Sequence, residues 1–150
     1  MQYWLMKSEP DTYSIDDLQS FGVDHWDGIR NYQVRNFFRD KMQVGDKAFF
    51  YHSNCKEPGI VGTMEIASEA YPDHTAFDPS EKYFDSKSDP ENPRWLMVDV
   101  RYLRHLDRMI TLGELRQQKQ IAGMKLLQRG NRLSVLPLSK KEWEYILDME

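Results

Sequence analysis

The sequence predicts an α+β fold: a mixed or antiparallel β-barrel of five to six strands surrounded by short helices. Three observations carry this. Short strand-forming runs recur along the 150 residues without the regular long helices that a doubly wound parallel sheet needs between its strands. One of them, WLMVDVRYL (95–103), alternates apolar and polar in the manner of a half-buried strand. Three segments open with a capping-box pattern, Ser14 to Asp17, Thr111 to Glu114 and Ser139 to Glu142, each heading a short amphipathic run.

Taken in order, YWLMK (3–7) is a strand closed by the turn cluster SEPD, and a short helix spans about 14–20 with Ile15 and Leu18 on one face. Asn31 to Met42 is the first substantial helix. Val34, Phe37, Phe38 and Met42 form its apolar stripe, and Asn31, Arg35 and Arg39 a second, polar one. KAFFYHS follows as a strand. Residues 59–71 form another, bulged at Gly62, with Ile60, Met64 and Ile66 on one face. Between 72 and 94 periodicity is lost. Four of the seven prolines fall here, which marks a long loop of the kind that often carries function. In the alternating strand, Leu96, Val98, Val100 and Tyr102 point one way. AGMKLLQRG is a further helix and LSVLPLS a last strand, and Trp143, Ile146 and Leu147 line the final helix.

The length suits one domain, 1–150, with a real core. The net charge of −4 argues against gripping duplex DNA mainly by phosphate neutralisation, though net charge does not report a local patch. A single cysteine, Cys55, rules out an internal disulfide and suits a cytoplasmic protein. No basic, apolar leader and no membrane-length apolar run occurs.

His52 and Cys55 have an H-x-x-C spacing, but no second His or Cys pair completes a zinc set, so no metal is expected. No flank of a known type surrounds Cys55 as a nucleophile, and no serine sits in a G-x-S-x-G elbow. Phosphate-binding glycine loops are missing, and no cofactor is expected. One constellation remains. Trp26, Arg30, Asn31, Tyr32, Tyr51, His52, Ser53, Asn54 and Trp95 offer rings beside amides, hydroxyls and a guanidinium. A nucleobase, with its π face and hydrogen-bonding edge, asks for that set. The competing reading makes Trp26 and Trp95 core and Arg30 an ion-pair partner, and composition alone favours it.

The strings YWLMKSEPDTYSIDDL, WDGIRNYQVRNF, GDKAFFYHSNCKEPGIVG, EAYPD, PRWLMVDV and NRLSVLPLS resemble the EVE domain family, from Tyr3 to Ile146. The resemblance implies a PUA-like fold, related to PUA, ASCH, YTH and SRA domains. It also implies a non-catalytic partner of nucleic acid that holds a modified DNA or RNA base in a pocket; no membrane partner is expected, and with the oligomeric state open a monomer is favoured. Mapped onto this sequence, Lys7 and Ser8 meet the ligand edge and Trp26 is the stacking wall. Arg30 and Asn31 donate hydrogen bonds, and Tyr32 is a second wall or a core piece. Tyr51, Ser53 and Asn54 line the far side, and Arg132 and Ser134 close the rim. Two alternatives stay open: an enzyme using His52 or Cys55 on a base or nucleotide, and a module that binds a small metabolite or peptide.

Overall fold

A computed structural model describes residues 1–150. Seven strands form one open mixed sheet: β1 (Tyr3–Ser8), β2 (Val23–Trp26), β3 (Lys47–His52), β4 (Gly59–Ile66), β5 (Tyr71–Pro72), β6 (Leu96–Thr111) and β7 (Val135–Leu138). The strand order is β2-β6-β4-β3-β1-β7, with β5 on the side of β6. Only β1 and β3 run parallel. The expected α+β class and mixed sheet are present. The path ends at β2 and β7 without closing, and β2 and β5 raise the strand count above five to six. At four and two residues, those two strands are too short to announce themselves by periodicity.

The sheet is buried on both faces, because alternate residues of its central strands enter different clusters. Trp4, Met6, Ala48, Phe50, Val98 and Val100 pack on one face. Leu5, Phe49, Tyr51, Ile110 and Leu136 pack on the other, against Trp143 and Ile146. The bulge at Gly62 is real, since pairing with β6 slips between Ile60 and Gly62. It also corrects the expected face. Ile60 joins Phe49 and Ile110, whereas Met64 and Ile66 join Phe50 and Val100. One inserted residue flips everything beyond it. A side chain at Gly62 would run into Ile15 Cδ1 and the Arg104 carbonyl.

Four short helices surround the sheet: α1 (Ile15–Phe21), α2 (Tyr32–Asn36), α3 (Leu112–Arg116) and α4 (Lys140–Leu147). Reciprocal capping boxes open α1 and α4. At α3, Thr111 caps the Glu114 amide, but the Glu114 carboxylate takes Arg108 at 2.7 Å. The expected helix 31–42 is α2 followed by a π turn, Phe37–Lys41, in which the Met42 amide bonds the Phe37 carbonyl at 2.8 Å. Val34, Phe38 and Met42 still reach the core. AGMKLLQRG holds only a 3₁₀ turn, Lys125–Leu127. No helix is long and apolar enough to cross a membrane.

Candidate nucleic-acid interface

The parallel pair β1–β3 ends where the chain leaves both strands, and the Ser53 amide donates to the Ser8 carbonyl at 3.0 Å. The residues before β7 close on the same point: the Lys7 amide donates to the Ser134 carbonyl at 2.8 Å. A cavity of about 770 Å³ opens there, within the range of small-molecule sites. Lys7, Ser8, Ser53, Arg132 and Ser134 form one side. The turn from Trp26 to Ile29 contributes to the lining, as do Phe21 and the 81–83 segment of the long loop.

Glycine decides how that turn meets the loop. Gly28 has φ +78°, and a Cβ there would lie 2.6 Å from the Tyr83 ring. Its amide donates to Asp73 at 2.9 Å. The Asp73 side chain is fully buried and also accepts from Thr75 and Arg30. Burial works against its charge, yet the hydrogen bonds from Thr75, Gly28 and Arg30 hold its carboxyl below the usual carboxylate range.

The cavity is lined by both signs of charge. Burial pushes the Lys7 ammonium below the ordinary lysine range, and no carboxylate pairs with it. Arg132 makes no ion pair either. The same lining holds Asp24 and Asp27. Tyr13 donates to Asp24 at 2.7 Å, and burial pushes the Asp27 carboxyl up, against the pull of His25 at 3.4 Å. Ser53 and Ser134 spend no hydroxyl bond on the protein. Trp26 is 7% exposed and packs edge-on against Phe50 at 5.4 Å. Its indole N–H has no protein partner and is not sealed off, and Trp26 is part of the cavity lining.

The EVE domain family matches residues 2–149. The chain belongs to the EVE domain family. Rat thymocyte nuclear protein 1 is 47% identical over 99% of this chain and 73% of its own length. A Pseudomonas syringae protein structure superposes with a TM-score of 0.95 at 49% identity, covering 98% of each chain. Human THYN1 in complex with 5-methylcytosine-containing DNA superposes with a TM-score of 0.93 at 44% identity, covering 99% of this chain and 97% of that one.

Of the side chains that sequence singled out in this EVE domain, Lys7, Ser8, Trp26, Ser53, Arg132 and Ser134 meet in the cavity. Ser8 spends its hydroxyl on the Tyr13 carbonyl at 2.7 Å. Six others lie outside the lining, each for a visible reason. Arg30 is consumed by Asp73 and by the Tyr83 carbonyl at 2.6 and 2.9 Å. Asn31 is the N-cap of α2, accepting from the Val34 amide at 3.1 Å. Tyr32 has Trp95 on one side at 4.7 Å and the Arg35 guanidinium at 4.9 Å, so its ring is already engaged. Tyr51 is 3% exposed in the second core cluster, and burial pushes its phenol up to about 12. Asn54 adopts φ 50°, a left-handed turn suited to Asn, and donates to Glu9 at 3.1 Å. Trp95 is 6% exposed and donates to Asp85 at 2.7 Å.

His52 and Cys55 stand outside the lining. His52 Nε2 accepts the Ile15 amide at 3.2 Å, and burial lowers its pKa, which suits a neutral acceptor. Phe21, Asp24, Asp27 and Tyr83 are cavity residues that the ring-and-amide pattern missed. The Trp26-Asp27-Gly28 string held the only signal for Tyr83: a glycine there permits close approach by another segment.

Proposed function

We propose that residues 1–150 act as a single, non-catalytic reading domain that takes a modified cytosine of DNA out of its stack and into the cavity. One observation carries this. The cavity sets unpaired donors against half-buried carboxylates: Lys7, Ser53, Ser134 and the Trp26 N–H on one hand, Asp27 on the other. Cytosine needs that mixture. Its N4 amine donates to a carboxylate, while its N3 and O2 accept. Phe21, Trp26, Ile29 and Tyr83 supply apolar surface for the ring and a 5-methyl group. Extruding a base costs a few kcal/mol, and the cavity returns it through stacking and edge contacts.

The human relative bound to 5-methylcytosine-containing DNA supports DNA as the polymer. The positions of His52 and Cys55, away from the lining, favour binding over turnover. The test is fluorescence anisotropy with matched duplexes carrying 5-methylcytosine or cytosine at one position, alongside mass spectrometry of the recovered oligonucleotide. Tighter binding of the methylated duplex, weakened in Lys7→Met and Asp27→Ala, with no mass change, is the expected result. Equal affinities, or a converted base, overturn the reading.

A further inference from the structure

Charge in this chain is sorted along the sequence. Residues 115–141 hold seven of the 20 lysines and arginines and none of the 24 acidic residues. Arg116, Lys119, Lys125, Arg129 and Arg132 are all exposed, and none forms an ion pair or a side-chain hydrogen bond. Arginines elsewhere behave differently. Arg101, Arg104 and Arg108 on β6 are paired with Glu65, Glu150 and Glu114. A charge run usually amounts to a solvated face. Here, a chain rich in acids leaves the five cations from Arg116 to Arg132 without a counter-charge, whereas Lys140, further along, pairs with Glu144.

Topology puts that stretch beside the cavity. Thr111 pairs with Gly59, Gly59 with His52, and His52 with Ser8, so the segment starts at the cavity end of the sheet. Val135 pairs with Met6, and Arg132 and Ser134 line the cavity, so it also finishes there. Amides hold its turns together. Gln128 donates to the Gly123 carbonyl at 3.2 Å, Asn131 to the Lys125 carbonyl at 2.9 Å, and Tyr145 to Gln118 at 2.7 Å. Ile121 and Met124 anchor it in the core. The cations take no part in any of this and stay free for a partner.

We propose that the acid-free segment 115–134 is the track on which the phosphate backbone of the DNA lies while one base enters the cavity. The inference rests on the reading of the cavity given above. A segment of unpaired cations whose two ends reach the cavity end of the sheet matches the division in which phosphate contacts position and base contacts specify. Each neutralised phosphate releases counterions, so affinity falls with salt by about 0.9 log units per contact per log unit of salt. A net charge of −4 is no obstacle, since exposed, unpaired cations act locally within a Debye length of roughly 8–10 Å.

The experiment measures the dissociation constant of methylated and plain duplexes across a salt series, for the wild-type chain and for the triple variant Lys119→Ala, Lys125→Ala, Arg129→Ala. None of the three lines the cavity, and a thermal melt confirms folding. The variant is expected to lose roughly tenfold or more in affinity for both duplexes, with their ratio kept and the salt slope shallower by about 2–3. Unchanged affinity and slope overturn the track while leaving the cavity reading intact. If the wild type does not distinguish the duplexes, the cavity reading fails, and loss of salt-steep binding in the variant still supports the track. Displacement of DNA by polyglutamate of matched charge at equal potency overturns it in favour of an acidic polypeptide.

Discussion

Arg30 Nη1 donates to the buried carboxylate of Asp73 at 3.0 Å, and the same carboxylate oxygen accepts the Gly28 amide at 2.9 Å. Arg30 Nε and Nη2 both donate to the Tyr83 carbonyl, Nη1 also donates to the Ile29 carbonyl at 2.8 Å, and Nη2 to Thr75 Oγ1 at 3.3 Å. Arg30, through this ion pair and its bonds to Tyr83, ties the Trp26–Ile29 turn to the long loop and holds Tyr83 within the cavity lining.

Removing one member leaves the other without its partner, which costs about 3–5 kcal/mol for a buried pair. The Arg30 side chain is one-fifth exposed, so the lower end of that range is expected for Arg30→Met. Asp73→Ala, which strands several donors at once, is expected at the upper end. Urea unfolding of the two single variants and the double variant checks this. The two effects are expected to be strongly non-additive, and additivity within about 0.5 kcal/mol contradicts the coupling.

The acid limb of stability follows from the same carboxylate. Its folded pKa lies below its ordinary value, so its contribution is present above the unfolded pKa of about 3.9. That contribution fades as pH falls through the lower folded value. Wild type and Asp73→Asn are expected to differ most in stability near neutral pH and to converge below about pH 4. A stability difference that is constant between pH 7 and pH 3 in denaturant titrations rules this out.

Gly28→Ala tests the turn. The new methyl meets the Tyr83 ring at 2.6 Å, and the positive φ costs an alanine about 1–2 kcal/mol. The variant is expected to remain folded, with Tyr83 displaced and affinity for the methylated duplex lowered several-fold. A crystal structure or tyrosine fluorescence reports the ring. Wild-type affinity together with a moved ring removes Tyr83 from the binding surface.

Lys7 gives binding a pH dependence. Burial lowers its pKa in the free protein, and a nearby phosphate or base acceptor favours its charged form. Affinity is expected to fall as pH rises toward and through that lowered pKa, which lies below the ordinary value of about 10.4. Lys7→Met is expected to bind weakly without that alkaline limb. The same alkaline loss in Lys7→Met assigns the effect to another group.

Strand propensity, periodicity and capping chemistry were enough to read most elements, because β1 and β3 are short apolar strand-forming runs, β6 opens with clear alternation, and Ser14 and Ser139 form complete boxes. The face of Ile60 was not legible. A bulge reverses alternation without changing composition, so Gly62 signals its presence but not its consequence. Of the cavity residues, Trp26 and Ser53 belonged to the ring, amide and hydroxyl set, whereas Lys7, Ser8, Arg132 and Ser134 were indicated by the family resemblance alone. Arg30, Asn31 and Tyr32 have the chemistry of ligand contacts, yet the helix N-terminus, Asp73 and Trp95 use it for structure. Asp73 and Tyr83 lie more than 40 residues from the turn they hold, a separation that no local pattern encodes.

The most direct measurement is the ratio of dissociation constants for duplexes that differ only by a 5-methyl group on one cytosine, taken at fixed salt for wild type and Asp27→Ala. A wild-type preference for the methylated duplex of roughly tenfold, about 1.4 kcal/mol, that shrinks in Asp27→Ala is the expected result. A ratio of one in the wild-type protein contradicts a base-reading cavity.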